Sequence, residues 1–170
     1  MTQETMVLIS TLRAALKMRA AAYAHMFDVM REQLGLEKAL EIGKEATRRL
    51  GSEMAGNYRQ YGPDDLQGLK EAFLGAIPGG GELFIPEVVK CDQDELEIYF
   101  QKCPLKDAWT DLDRSDEDLE HLCDFAGAID AGMFTSAGFT FAGETWKPGQ
   151  SGCCRLRVRP GVAENKSGEN

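Results

Sequence analysis

From Val7 to Leu34 apolar side chains recur at helical spacing, at Leu8, Leu12, Leu16, Tyr23, Phe27, Met30 and Leu34, with neither proline nor glycine between them. That period predicts one long amphipathic helix. Gly35 supplies the residue that ends it, and Leu36, Leu40, Gly43, Thr47, Leu50, Met54 and Tyr58 mark a second helix on the same period. So short a junction predicts antiparallel packing of the two. Gly43, Gly51 and Gly56 each weaken the second helix by up to about 1 kcal/mol relative to alanine. Close approach of another backbone is the expected compensation, ahead of a bound ligand. Pro63, Asp64 and Asp65 open a third helix striped by Leu66, Leu69, Phe73 and Ile77, which Pro78 and Gly79-Gly80-Gly81 stop. The triple glycine matches neither GxxxxGK[ST] nor GxGxxG, so it reads as a flexible joint rather than a phosphate cradle.

Beyond the joint the period falls from about 3.6 to 2. Residues 85–89 predict a short strand and Cys91 to Asp94 a turn. In Glu95 to Gln101, Leu96, Ile98 and Phe100 alternate against Glu95, Glu97 and Tyr99, which makes a hairpin. Ser115 with Asp118 marks a fourth helix start, reinforced by Asp116 and Glu117, and the helix should run to about Ala131. Phe139 to Trp146 and Cys153 to Arg159 predict two closing strands around the turn from Lys147 to Gly152. The fold class expected is α+β: N-terminal antiparallel helices packed on a small antiparallel sheet of about four strands, with one inserted helix. One domain is expected over residues 1–159, followed by a polar, disordered tail over 160–170.

The chain has 170 residues, and 28 acidic groups against 19 basic ones leave a formal charge of -9. Apolar residues at 43% and charged residues at 28% fit a globular protein. The acidity, with no run of Lys and Arg, argues against nucleic acid as a partner. The first ten residues carry no secretory pattern, and no stretch approaches the roughly 18 apolar residues of a membrane span, so a cytoplasmic location is expected. In that compartment the five cysteines are expected as reduced thiols.

Where do these thiols fall? Cys123 and Asp130 are seven apart on the fourth helix, so they share a face to within about 20° and stand about 10.5 Å apart along the axis. Ala126 and Gly127 between them are small, as a pocket floor would require, although a buried cysteine is more often plain core. In the last strand Cys154 alternates with Leu156 and Val158 toward the core, while Cys153 goes with Arg155, Arg157 and Arg159. Those arginines suit a substrate carboxylate, but pairing with Glu95 and Glu97 on a solvated face is favoured. Cys103 ends a strand, and Pro104 turns the chain out of the sheet toward the mouth of such a pocket. Cys91 has no obvious companion. Gaps of nineteen residues between Cys103 and Cys123, and thirty between Cys123 and Cys154, lack zinc-ligand spacing. His25 and His121 have no partner at ligand spacing, His121 is expected on an exposed part of its helix, and no GxSxG supports a serine triad.

The series Cys103-Pro104, Leu122-Cys123 with Ile129-Asp130, Gly138-Phe139, then Gly149 with Cys153-Cys154, resembles the L-2-amino-thiazoline-4-carboxylic acid hydrolase family. Arg19 and Tyr23 in a long helix, then Gly35-Leu36-Glu37-Lys38-Ala39 and a second helix with Gly51, are similar to that family's front end. The resemblance spans about residues 15 to 159, with either Cys153 or Cys154 matching the family's last cysteine. It implies hydrolytic opening of a cyclic isothiourea to N-carbamoyl-L-cysteine. Cys103 or Cys123 would attack the amidine-like carbon, or polarise its water, while Asp130 holds the amidinium and shuttles the proton. Cys154, Arg155 and Arg19 would bind substrate, with Arg155 or Arg19 as the cation beside a thiolate. Two other classes compete: a non-catalytic small-ligand binder of the same fold, and a metal or redox sensor using Cys103, Cys123 and Cys154. No cofactor is implied, the expected partner is a small-molecule substrate, and assembly into a homo-oligomer is left open.

Overall fold

The computed structural model describes residues 3–162. Helix α1 (Gln3–Leu34) ends at Gly35, whose φ of 83° lets the chain reverse after a single residue. Helix α2 (Leu36–Met54) therefore folds back along α1 and runs out through two 3-10 turns, Ala55–Asn57 and Arg59–Tyr61. Asp65 caps helix α3 (Leu66–Ala76) by accepting from the Gly68 amide at 2.8 Å. Pro78–Gly81 is a 3-10 turn carried by left-handed glycines. The expected hairpin follows as β1 (Pro86–Cys91) and β2 (Leu96–Phe100), with Val88 opposite Ile98 and Cys91 opposite Leu96.

Between β2 and the second half of the sheet the chain inserts two helices, not the single one expected. Helix α4 (Pro104–Asp111) starts with Pro104 in its first turn and Cys103 at its N-cap. Eight residues give too few turns for a readable period. Helix α5 (Asp116–Ser136) begins where expected, with the Ser115 hydroxyl accepting from the Asp118 amide at 3.2 Å, and continues five residues past Ala131. Strands β3 (Thr140–Glu144) and β4 (Arg155–Arg159) complete an antiparallel sheet in the order β1-β2-β4-β3. One face carries buried Leu96, Ile98, Leu156 and Val158. On the other, Arg155 pairs with Glu97, Arg157 with Glu144 at 2.5 Å and Arg159 with Glu95 at 2.6 Å, the solvated ladder that the alternation predicts.

The α2–α5 contact explains two of the three glycines. A Cβ at Gly51 would lie 1.9 Å from the Ile129 carbonyl oxygen, and one at Gly132 would lie 1.9 Å from that of Arg48. Gly43 admits the Phe125 ring, whereas Gly56 faces open space. Contacts advance together along both helices, from Gly43 with Phe125 to Ser52 with Ser136 at 3.0 Å, so α2 and α5 run parallel. Thr47, buried mid-helix, donates its hydroxyl across the seam to the Phe125 carbonyl at 2.7 Å.

The apolar interior forms two clusters. Phe27, Leu105, Trp109 and Leu122 join α1, α4 and the start of α5; Leu66, Leu69, Leu96, Phe134 and Val158 join α3, the sheet and the end of α5. Burying each such side chain contributes about 1.5–3 kcal/mol. Of the tail expected from residue 160, residues 163–170 lie outside the described residues. Pro160 accepts from the Thr140 hydroxyl at 3.3 Å, and the Gly161 amide donates to the Pro63 carbonyl at 2.8 Å. No helix among the described residues is long and apolar enough to cross a membrane.

Candidate functional site

A cavity of about 190 Å³ lies where the two clusters meet. Cys103, Cys123, Asp130, Cys154 and Arg19, five of the six residues singled out above, line it together. Ala126 and Gly127 also line it, so the small residues between Cys123 and Asp130 do border a hollow. The sixth, Arg155, is not brought there: it lies over the Tyr99 ring at 5.0 Å and pairs with Glu97 on the outer face.

Cys103 owes its place to the proline after it. The Gln101 and Lys102 amides still bond to the Ile85 and Phe84 carbonyls after β2 ends at Phe100, and Pro104, with no amide hydrogen to give, opens α4 directly after Cys103. The Cys103 sulfur thereby faces the Leu105 and Lys106 amides at the positive end of α4. A hydrogen bond from Cys153, with these two amides, holds the Cys103 thiol below the usual range, against burial and the Asp107 charge. Trp109 fastens α4 to α1 by donating its indole N–H to the Ala20 carbonyl at 2.7 Å.

Cys153 was expected beside the arginines, and the structure corrects this. The regular β4 strand begins at Arg155, and before it Cys153 and Cys154 both pair with Phe100, through the Cys153 amide and the Cys154 carbonyl, so the strict alternation does not reach back to Cys153. Cys153 is buried, its sulfur lies 3.3 Å from that of Cys154, and both line the cavity. Its hydrogen bonds to Cys103, Cys123 and Cys154, together with burial, push its thiol up, so it keeps its proton.

Asp130 forms no hydrogen bond or ion pair with another side chain among the described residues, and burial pushes its carboxyl up to about 7 despite Arg19. Arg19 stacks over the Tyr23 ring at 5.3 Å, and its Nε is buried without a hydrogen-bond partner. Tyr58 lines the same space, and its hydroxyl is pushed up by burial and then by the Asp130 charge. In the sequence Tyr58 is only one more position on a helical stripe, and nothing marks it for a site.

The other candidates sit elsewhere. His121 is half-buried rather than exposed, with Nδ1 inside and unpartnered and its ring 6.1 Å from that of Phe27. Cys91 has a companion after all, with its sulfur 3.5 Å from the Gln67 side-chain oxygen. Among the described residues no three His, Cys, Asp or Glu side chains are grouped as a metal ion requires.

Helices on an open antiparallel sheet, with a thiol-lined hollow at the join, define an α+β protein with an internal cavity. Residues 15–158 match the family model described as L-2-amino-thiazoline-4-carboxylic acid hydrolase, and the chain belongs to that family. The family's name is that of a hydrolase. No curated protein and no solved structure matches the chain.

Proposed function

We propose that this chain hydrolyses a small cyclic isothiourea resembling 2-amino-thiazoline-4-carboxylate, with Cys103 as nucleophile and Asp130 as acid and base. The carrying observation is that Cys103, Cys123, Asp130, Arg19 and the Cys153–Cys154 pair, drawn from separate parts of the chain, line one cavity of about 190 Å³. A void of roughly 150 Å³ accepts benzene. The volume therefore suits a five-membered ring with short substituents.

The target carbon is bonded to the ring sulfur and two nitrogens. The Cys103 thiolate adds to it, the carbon–sulfur ring bond breaks, and the departing sulfur takes the proton of Asp130. The enzyme then holds an isothiourea through Cys103. Asp130, now a carboxylate, takes a proton from the water that attacks the same carbon, and the Cys103 thiolate leaves. A carbonyl oxygen derived from water remains, and one molecule of water has been consumed. Arg19, with a buried guanidinium nitrogen to spare, receives the substrate carboxylate.

Turnover is read as release of a free thiol from the thiazoline acid. Cys103→Ser should lower it at least about 1,000-fold, since the hydroxyl is not ionised near neutrality. Wild-type rates from Cys103→Ser, Cys123→Ser and Asp130→Asn alike would defeat the assignment.

A further inference from the structure

The loop before β4 is built to turn one side chain inward. Tyr99 donates its hydroxyl to the Ser151 carbonyl at 2.7 Å, and the Cys153 amide donates to the Phe100 carbonyl at 2.9 Å. Between these anchors Gly152 holds a φ of 73°, and a Cβ there would lie 1.8 Å from the Tyr99 hydroxyl oxygen. Glycine alone meets both conditions. The Lys106 ammonium, itself 4.7 Å from the Trp146 ring centre, donates to the Gly152 carbonyl at 3.3 Å and ties the loop to α4. Cys153 is thus delivered into the thiol group, its sulfur 3.3 Å from that of Cys154, with Cys103 and Cys123 lining the same cavity. A thiol has one proton to give, whereas its sulfur can accept more than one hydrogen bond.

We propose that Cys153 is the positioning residue of the site: it directs its single proton at the Cys103 sulfur, which lines the same cavity, and so fixes Cys103 as the reactive sulfur. This rests on Cys103 being the nucleophile proposed above. Groups of both kinds face Cys103. On α4 the Leu105 and Lys106 amides support a negative Cys103 sulfur, while Asp107 opposes it. Arg19 on α1 and Asp130 on α5 reach the same cavity.

The test needs no substrate. Intact protein is treated with iodoacetamide across about pH 5–10 and labelling is resolved by peptide mass spectrometry. In the wild type Cys103 should label first. Cys153→Ala should move the Cys103 midpoint to higher pH and slow its labelling at neutral pH about tenfold. Cys153→Ser, which retains a donor, should recover most of that loss, and Gly152→Ala, which displaces the loop, should mimic Cys153→Ala. Cys91→Ser serves as control and should leave the profile unchanged. An unchanged Cys103 profile in folded Cys153→Ala and Gly152→Ala overturns the positioning role and leaves the nucleophile standing. Labelling of Cys123 or Cys154 ahead of Cys103 in the wild type overturns both.

Discussion

Gly132 on α5 meets the backbone of α2 so closely that a Cβ would lie 1.9 Å from the Arg48 carbonyl oxygen, whereas Gly127, five residues earlier, borders the cavity and would meet a methyl of Thr145 at 2.5 Å. Both positions are small, and what occupies the missing side chain's place differs between them. On the α2 side the missing side chain is replaced by another backbone, so the space is filled. At Gly127 it is replaced by the Thr145 side chain, which can move, while Cys123, Ala126 and Asp130 beside it line the hollow. A small residue on a helix is therefore a local minimum of volume, and the partner across from it decides whether that volume is held by rigid backbone or by a side chain that can yield.

The sharpest way to break this contrast is to add one carbon on each side. Gly132→Ala should cost about 3 kcal/mol or more in urea unfolding, because a carbonyl cannot step aside as a side chain can. An effect below about 1 kcal/mol would show that the two helices are not in backbone contact. Asp130→Asn comes next and should lower turnover by about 100-fold or more. It should also change how stability depends on pH. The ordinary value of this carboxyl is 3.8, and the fold raises it to about 7, so the folded state binds the extra proton between those limits. Stability from this group is complete below the lower limit and is lost as pH rises through the upper one. Urea melts at intervals across that window should show the decline in the wild type and a flatter profile in Asp130→Asn. Gly127→Ala follows, at about 1 kcal/mol in stability, since only the Thr145 side chain must give way. Smallest of all, Arg157→Gln should change stability by under about 1 kcal/mol, because its pairs with Glu144 and Glu97 lie on the solvated face.

Most of the helices and the hairpin were legible because one face of each is apolar at a fixed period and its ends carry caps such as Asp65 and Ser115. Helix α4 was not, because eight residues led by Pro104 leave no period to read. Cys103, Cys123, Asp130, Cys154 and Arg19 were singled out by a strand end, helix spacing and family resemblance, whereas their meeting in one cavity is visible only in the fold. Cys153 was misplaced, since alternation was carried past the point where the regular strand ends. The signal that could have placed it is the Gly149–Gly152 stretch, where both glycines take positive φ and free the chain from the pleat. Arg155 shows the converse: its strand position was right, and Glu97, diagonal to it on β2, pairs with it on the outer face.

The cavity occupies the join between the two apolar clusters, with Trp109 and Leu105 on one bank and Phe73, Phe100 and Met133 on the other. A molecule seated there acts as a keystone: its binding energy would be drawn from both halves at once. Amide exchange in α4 and in α3, both of which contribute residues to that gap, should then slow in step when it is occupied.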